Sequence, residues 1–508
     1  RKVLVIEAGP PDSALLKPFG LGYYLNLSKY EWQFHSQPDP SRNMRTEQWR
    51  RGRVVGGTGS INGMNYVRGT RADYDRWAAL GNVGWSADDV MPIFDALEAV
   101  QPGFHAPPDL RFRGTRGPIP VREANYCHSL SEAWLRSAKA LGYPWTDDYN
   151  GAVQEGVGYA QFNQRRGFRR TSADGFLKPA LKRANLKLLT EALVHRLKVE
   201  ERRITGVLFE RDGQLHEARA ERVILCGGSL NTPQTLMLSG IGDPAELARL
   251  GIAVTAALPG VGRNLKEHPI LRTALRVRIP SFNPTGGLWQ RIGFLMKFLA
   301  YGQGPIASVV ETQGFLRSHQ GAEAPDVQML FSPFGAVFSN ESGFYKGVEI
   351  LDYPSVSVHF VKSYPKSVGR VRIASADPKA APLIEPNLLG DPEDVETLVR
   401  CVDIFRKIVA ARPFADLVEE VVEPAPDLRD RDQIIDYVRQ RAGLAYHPLG
   451  TCRMGVDEGA VVSPELRVRG LENLWIADAS VMPHQISGNI YAACLMIGEK
   501  AGQLLRRQ

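Results

Sequence analysis

The hydrophobic and polar positions of this chain follow patterns that predict both strands and helices. Apolar runs that end near glycine are typical of buried parallel strands, and two such runs are residues 2–9, KVLVIEAG, and 223–226, VILC. Strict alternation, as in half-exposed antiparallel strands, occurs at 186–199, 355–361 and 369–375. Helical spacing occurs at 73–100 with a break at 81–84, 129–141, 392–412, 431–442 and 490–505. The patterns together predict an α/β fold, with a strand-glycine-helix junction at 223–232 that suits a doubly wound sheet.

The first apolar run ends in Glu7, Ala8 and Gly9. A buried parallel strand with a terminal carboxylate is typical of the second strand of a dinucleotide-binding unit, where the acid accepts hydrogen bonds from a ribose. A buried strand that ends at an ordinary surface acid is the alternative interpretation. The G-x-G-x-x-G turn that normally lies about 20 residues earlier is not in this sequence. The chain begins at Arg1 rather than methionine, so we expect that the true N-terminus is not seen.

Composition narrows the class of protein. A chain of 508 residues is longer than one hydrophobic core usually supports, so two domains are expected. No run approaches the length of a membrane span, and the net charge of +7 comes without a groove-reading motif, so neither a membrane span nor nucleic-acid binding is expected. Five widely separated cysteines argue against a disulfide framework and a zinc cluster, and no metal is expected. They favour a reducing, cytoplasmic location.

A glycine-rich stretch covers residues 52–69, GRVVGGTGSINGMNYVRG. Its bare backbone can approach a flat ligand closely, and its small hydroxyl and amide side chains can bond to the edges of that ligand. A flexible surface loop is the alternative, but Ile61, Met64, Tyr66 and Val67 provide apolar anchors that a free linker would lack. The stretch therefore predicts a binding loop.

The C-terminal stretch carries candidate chemistry. His447 precedes Pro448, which restricts its backbone to extended geometry, and the sequence then turns through Leu449-Gly450-Thr451. A histidine suits general-base chemistry near neutral pH, although the chain has ten histidines and one alone proves little. Asn489 stands where a helix begins, so its side chain could serve as an N-cap, as a site residue, or as both.

The chain resembles the glucose-methanol-choline (GMC) oxidoreductases over nearly its whole length, and is most similar to the bacterial alcohol and choline dehydrogenase-like members. The resemblance rests on residues 52–69, on 221–242 (ERVILCGGSLNTPQTLMLSGIG), on 259–269 (PGVGRNLKEHP), and on HPLGT at 447–451 followed by SGN at 487–489. In 259–269, His268 is expected to be structural rather than catalytic. The family is FAD-dependent.

The resemblance implies a doubly wound, Rossmann-like FAD-binding domain and a second α+β substrate-binding domain built on an antiparallel sheet. The expected FAD-binding domain comprises residues 1–72, 185–270 and 440–508, without its G-x-G-x-x-G unit, and the substrate-binding or cap domain comprises 73–184 and 271–439. The implied cofactor contacts are Glu7, Ala8, Val55, Gly57, Asn62, Gly63, Met64, Val194, Asp478 and Ala479. Some members attach FAD through a histidine just before the asparagine; Ile61 stands there, so non-covalent FAD is expected.

The implied reaction is oxidation of an alcohol to an aldehyde or ketone. His447 would be the base, Asn489 would orient the substrate oxygen, and the hydride would pass to flavin N5. Glu311 aligns with an acidic position near the substrate cavity. Some relatives are instead lyases that cleave cyanohydrins or light-driven decarboxylases, and a non-catalytic binding protein is a third class.

The expected partners are a small alcohol and an electron acceptor, either oxygen or a quinone-like carrier. Peripheral association with a membrane is an alternative to a purely cytoplasmic location. The sequence leaves the alcohol, the choice between oxidase and dehydrogenase, and the oligomeric state open. Because a helix N-terminus in the missing unit normally holds the pyrophosphate, we expect this chain to bind FAD poorly. A chain extended by about 30 N-terminal residues, which restores that unit, is expected to bind FAD well.

Overall fold

The structure is a computed structural model that describes residues 1–20, 27–103, 105, 107–124, 126–338 and 348–507. Its α-helices are Arg71–Ala79, Ala87–Leu97, Ser129–Ala140, Lys178–Ala180, Gly228–Leu238, Pro244–Arg249, Gly287–Tyr301, Pro392–Ala410, Arg431–Arg441 and Tyr491–Arg507. In the part of the chain that is described, no helix is both long and apolar enough to cross a bilayer.

Two parallel strand pairs carry the expected dinucleotide-binding elements. Val3–Ile6 pairs with Leu186–Leu189, and Val223–Leu225 pairs with Leu474–Ile476. Val223–Leu225 leads directly into the helix Gly228–Leu238, as the strand-glycine-helix junction predicts. A three-stranded antiparallel sheet, Ala192–Glu200, Arg203–Arg211 and Gln214–Arg219, packs beside these pairs.

A seven-stranded antiparallel sheet forms the second layer. Its order is Val418–Glu423, Pro269–Val277, Ser355–Lys362, Val327–Ser332, Thr312–Leu316 and Gly156–Tyr159, and Gly443–Leu444 also pairs with Pro269–Val277. One face packs Leu271, Phe331 and Phe360 against the helices Ser129–Ala140 and Pro392–Ala410. The mixed α/β fold with an antiparallel sheet confirms the predicted fold class.

The shorter strands form small sheets around these layers. They are Glu31–His35 with Gln48–Gly52; Glu98–Val100 with Ile119–Glu123 and Gln161–Phe162; Gln164–Arg165 with Phe168–Arg169; Ile241–Gly242 with Ala256–Ala257; Ala336–Phe338 with Val348–Ile350; and Arg370–Arg372 with Leu383–Glu385.

Several predicted elements differ from those observed. The break in residues 73–100 separates two helices, but the last three residues form the strand Glu98–Val100. The alternating segment 355–361 is not half exposed, since every residue of Ser355–Lys362 is buried or half-buried. Its polar face lines an internal cavity, as Ser357 and His359 show. Alternation reveals a polar face, whereas the surrounding layers decide whether that face meets solvent.

Candidate active site

Two segments far apart in the sequence form the centre of the site. The backbone around Leu449 runs antiparallel to that around Lys266, with N–H to carbonyl distances of 3.1 and 3.0 Å in the two directions. The N–H of Ala445 donates to the carbonyl of His268 at 3.0 Å. Glu267 completes this connection, because its Oε1 accepts from the backbone N–H of His447 at 2.7 Å. These contacts place His268 directly beside His447.

The two histidines share a hydrogen bond. Their Nδ1 atoms are 3.0 Å apart, and the Nε2 of His268 lies 2.9 Å from the carbonyl oxygen of Ser363. A carbonyl only accepts, so the proton of His268 belongs on Nε2 and its Nδ1 is an acceptor. His447 must then carry its proton on Nδ1. This arrangement leaves the Nε2 of His447 with a lone pair.

Asn489 contacts that second nitrogen. Its Nδ2 lies 3.0 Å from the Nε2 of His447, and its Oδ1 accepts from the Nε2 of Gln328 at 3.1 Å. Gln328 lies on the seven-stranded sheet, and Gln313 accepts its other amide hydrogen bond at 3.0 Å. The C-terminal helix begins at Tyr491, two residues later. The amide of Asn489 is thus committed to His447 and the sheet.

Burial keeps both histidines neutral. Burial, with smaller effects from His268 and Arg51, holds the pKa of His447 well below its ordinary value. Burial also lowers the pKa of His268 to about 4, against the opposing effect of its carbonyl contacts. A neutral imidazole with an available Nε2 can accept a proton, so the geometry provides a base.

A cavity of about 2150 Å³ extends from this pair to the parallel strands. It brings together most of the residues that the sequence singled out. The lining includes His447, Asn489, Glu7, Ala8, Gly57, Asn62, Gly63, Met64, Val194, Asp478 and Ala479. These residues come from six separate parts of the chain, so their convergence is a property of the tertiary structure.

Two predicted residues do not line this cavity. Val55 is buried behind the loop, and its N–H donates to the carbonyl of Pro10 at 3.1 Å. Glu311 is also buried, and its Oε2 accepts at 2.7 Å from both the N–H of His128 and the hydroxyl of Ser131. Glu311 therefore ties the start of a helix to the sheet. Burial raises the pKa of Glu311 to about 7.

The cavity wall suits a large cofactor with a flat ring and polar edges. A Cβ built on Gly57, Gly63 or Gly228 would meet nothing within 4 Å, so their backbone faces open space. Gly57 and Gly228 also have positive φ angles of 57° and 79°, which favour glycine. Burial raises the pKa of Glu7 to about 7, which suits a carboxyl group that exchanges hydrogen bonds with ligand hydroxyls.

Side-chain contacts hold this wall in place. The Oδ1 of Asn62 accepts from the N–H of Met64 at 3.0 Å and from the buried guanidinium of Arg169. The Oδ2 of Asp478 accepts from the N–H of Gly228 at 2.9 Å and from the hydroxyl of Thr232 at 2.6 Å. The residues present therefore fit FAD, with glycine backbone for close approach and fixed polar groups around it.

The sequence did not identify His268, Glu267 or Gln328 as site residues. Glu267 and His268 lie in the EHP triplet, which repeats the His-Pro pairing of residues 447–448. That repeat was a signal, although weak. Gln328 lies inside an apolar strand, DVQMLFS, where a lone amide was the only hint of a polar partner.

A histidine–asparagine pair and bare glycine backbone line the same large cavity, an arrangement that suits a flavin-dependent oxidoreductase. Comparison with known proteins identifies the family to which the chain belongs. The N-terminal GMC oxidoreductase family model matches residues 6–270, and the C-terminal one matches residues 365–498. The chain belongs to the GMC oxidoreductase family.

Curated relatives are similar over almost the whole chain. Oxygen-dependent choline dehydrogenase of Rhizobium johnstonii is 36% identical, over 98% of this chain and 90% of that protein. Human mitochondrial choline dehydrogenase is 37% identical, over 100% of this chain and 86% of that protein. Among solved structures, pyridoxine 4-oxidase from Mesorbium loti has a TM-score of 0.88 at 27% identity, covering 100% of this chain and 94% of that one. A formate oxidase from Aspergillus oryzae has a TM-score of 0.90 at 26% identity, with the same coverage.

This membership confirms the predicted class of enzyme and cofactor. The protein is an FAD-dependent oxidoreductase that acts on the CH–OH group of an alcohol. The similar proteins are dehydrogenases and oxidases, so a lyase reaction is not favoured.

Proposed function

We propose that His447 is the base that removes the hydroxyl proton of the alcohol, and that Asn489 holds the substrate oxygen. The observation that carries this proposal is the pair itself, with Nδ2 of Asn489 3.0 Å from Nε2 of His447 on the cavity wall. A substrate oxygen that replaces the direct contact between these two nitrogens can donate its proton to Nε2 and accept from Nδ2. Asn489 cannot titrate, so it stabilises the developing alkoxide while His447 takes the proton.

His268 acts as a positioning residue in this proposal. Its Nδ1 accepts from the Nδ1–H of His447, which keeps the lone pair of His447 on Nε2, toward the cavity. Glu267 holds the backbone of His447 from the other side, at 2.7 Å. Both contacts orient the base before any substrate arrives, and such preorganisation lowers the cost of reaching the transition state.

We propose that Glu7, Ala8 and Val194 hold the adenosine part of FAD. The loop residues Gly57, Asn62, Gly63 and Met64, together with Asp478 and Ala479, would lie along the flavin. When bound, FAD supplies the two-electron oxidant that takes the hydride from the alcohol carbon. Attachment is non-covalent in this proposal, because Ile61 offers no nucleophile and instead packs against a cluster that contains Tyr30 and Val54.

We propose an uncharged alcohol as the substrate. Among the described residues of 269–439, those that line the cavity include Arg272 and His359 but no Asp or Glu. Burial lowers the pKa of His359 to about 3, so that ring is neutral. The other lining residues from this part of the chain are Val309, Val310, Ser332, Phe334, Ala336, Ser357 and Pro378 to Ala380. The fully charged side chains of this part of the lining, Arg272 and Lys379, are both cations. Like charges repel, so a quaternary ammonium is disfavoured and choline is expected to be a poor substrate.

We propose that the reduced flavin passes its electrons to oxygen or to a quinone-like carrier. We also propose that the protein works in the cytoplasm, at the periphery of a membrane. All five cysteines are free thiols, which supports a reducing compartment in this proposal.

The FAD-loaded protein tests the central proposal. On anaerobic addition of an alcohol, the flavin absorbance is expected to bleach, and His447→Ala is expected to slow bleaching by about 10²- to 10⁴-fold, the usual contribution of a general base. A His447→Ala variant that retains FAD and bleaches at the original rate would remove His447 from the reaction. Failure of every alcohol to bleach the unmodified protein would contradict the reaction itself.

A further inference from the structure

The helix Gly287–Tyr301 carries an unusual number of exposed apolar side chains. The most exposed are Trp289 at 81%, Leu288 at 70%, Tyr301 at 65%, Leu299 at 64% and Met296 at 59%, with Leu295 and Ile292 also exposed. Soluble proteins rarely place so many large apolar groups together on a surface, and such patches usually mark an interaction site. We call this helix the outer helix.

The outer helix is attached by one narrow face. Phe298 is buried against Phe168, with ring centroids 4.8 Å apart, and Phe294 lies one turn earlier against Phe282 at 6.1 Å. Phe282 packs with Val309, Phe334 and Ala336, and those three residues line the active-site cavity. The outer helix therefore lies over the substrate side of the cavity.

The exposed side chains form an ordered pattern around the helix axis. At about 100° per residue, one arc of roughly 120° holds Leu288, Trp289, Ile292, Leu295, Met296 and Leu299, opposite Phe294 and Phe298. Arg291 and Lys297 lie between the two faces, one on each side, and the Nζ of Lys297 lies 5.5 Å from the ring centroid of Tyr126. Between positions 269 and 310 the sequence contains no Asp or Glu. An apolar face flanked by cations is the pattern of a helix that lies in a membrane interface.

We propose that the outer helix docks the enzyme on an anionic lipid surface, with its apolar arc among the acyl chains. Arg291 and Lys297 would reach the lipid phosphates, since long cationic side chains extend toward headgroups while their stems stay in apolar surroundings. Docking in this orientation places the substrate side of the cavity next to the membrane. A lipid-dissolved electron acceptor would then have a short path to the site. This inference rests on the peripheral location in the proposed function, and it adds the surface that makes the contact.

A second copy of the chain is a less suitable occupant. A twofold dimer interface would pack the outer helix against the outer helix of the second copy, or against the surface next to it. Arg291 and Lys297 would then face a segment that offers cations and no carboxylate. A lipid bilayer with anionic headgroups supplies the complementary charge on both flanks.

Vesicle binding tests this proposal with the full FAD-loaded chain. Vesicles of phosphatidylcholine with about 30% phosphatidylglycerol are expected to co-sediment the protein, and pure phosphatidylcholine much less, because the anionic surface attracts the cations. Trp289→Ser/Leu299→Ser is expected to lower the vesicle-bound fraction at least about tenfold, since two large apolar groups no longer enter the membrane. Arg291→Glu/Lys297→Glu is expected to abolish the preference for anionic vesicles.

Two controls keep the result interpretable. Leu215→Ser alters a side chain of similar exposure, 60%, on a distant strand, and should bind vesicles normally. Every variant should oxidise a water-soluble alcohol at the original rate with a soluble artificial acceptor, which separates docking from the proposed chemistry. An unmodified protein that ignores anionic vesicles, or a Trp289→Ser/Leu299→Ser variant that binds them fully, would overturn the proposal. So would a dimer, seen by light scattering, that this variant dissociates in the absence of any vesicle binding.

Discussion

Replacing His268 by leucine tests whether that residue sets the proton position on His447. Leucine removes the acceptor 3.0 Å from the Nδ1–H of His447 and leaves that donor buried without a partner. An unsatisfied buried donor costs about 1–3 kcal/mol. The ring of His447 can avoid this cost by moving its proton from Nδ1 to Nε2. In that tautomer Nε2 is a hydrogen-bond donor and cannot accept the hydroxyl proton of the alcohol.

The expected loss follows from that energy. A penalty of about 1–3 kcal/mol on the productive tautomer corresponds to a rate reduction of roughly 5- to 150-fold, at 1.4 kcal/mol for each factor of ten. The rate of anaerobic flavin reduction by an alcohol, followed by rapid mixing, measures the chemical step directly. FAD content and thermal unfolding, measured on the same preparations, show whether the variant is folded and loaded.

His268→Asn is the matched variant. Its Oδ1 can take the place of the histidine Nδ1 and accept from His447, so most of the rate should return. If His268 had only a structural role, the leucine and asparagine variants would each lose rate only in proportion to the stability that they lose. The tautomer argument would be refuted if the His268→Leu variant reduced flavin at the original rate. It would also be refuted if the His268→Asn variant were as slow as the leucine variant at equal stability.

Three further predictions concern the same site. Asn489→Asp is expected to slow flavin reduction by about 10²–10³-fold, because a carboxylate cannot donate to the substrate oxygen; Asn489→His retains a donor and should lose less, and equal rates for both would contradict this. Since burial holds the pKa of His447 well below its ordinary value of 6.5, the base is neutral at and above that pH. The profile of kcat/KM against pH should therefore fall toward acid below 6.5. Burial raises the pKa of the neighbouring Glu267 to about 8, so a step near that pH should vanish in Glu267→Gln, and a midpoint at or above 7 that persists in this variant would contradict the assigned base. Benzyl alcohol should exceed choline in kcat/KM by at least about tenfold, because choline brings a cation toward Arg272; a preference for choline would refute the substrate class.

Much of the site could be predicted from local sequence. His447 precedes a proline, Asn489 precedes a helix, and the glycines of 52–69 leave a bare backbone, so each signal lies within a few residues. The resemblance to a family then assigned these local signals to one reaction. Whether Val55 contacts a cofactor could not be read in this way, because a buried valine one residue from the cavity wall looks the same in sequence as one on it.

Glu311 illustrates a second limit. An acid that begins a strand is compatible with a solvated surface, a substrate contact or a structural anchor, and only packing separates these cases. In the fold, Glu311 is buried beneath the helix Ser129–Ala140 and accepts from its first turn. A buried carboxylate needs such partners, and they lie 183 and 180 residues away along the chain.

The sequence by itself determined the family and the class of cofactor, and it predicted the two side chains that we propose hold the substrate oxygen, because those depend on short motifs whose chemistry is local. Only the tertiary structure decided that His268 orients His447, since their contact requires antiparallel pairing of segments about 180 residues apart. It also decided that the polar face of Ser355–Lys362 lines a cavity instead of meeting solvent. Periodicity along a chain specifies which residues share a face, and the packing of distant layers decides what that face meets.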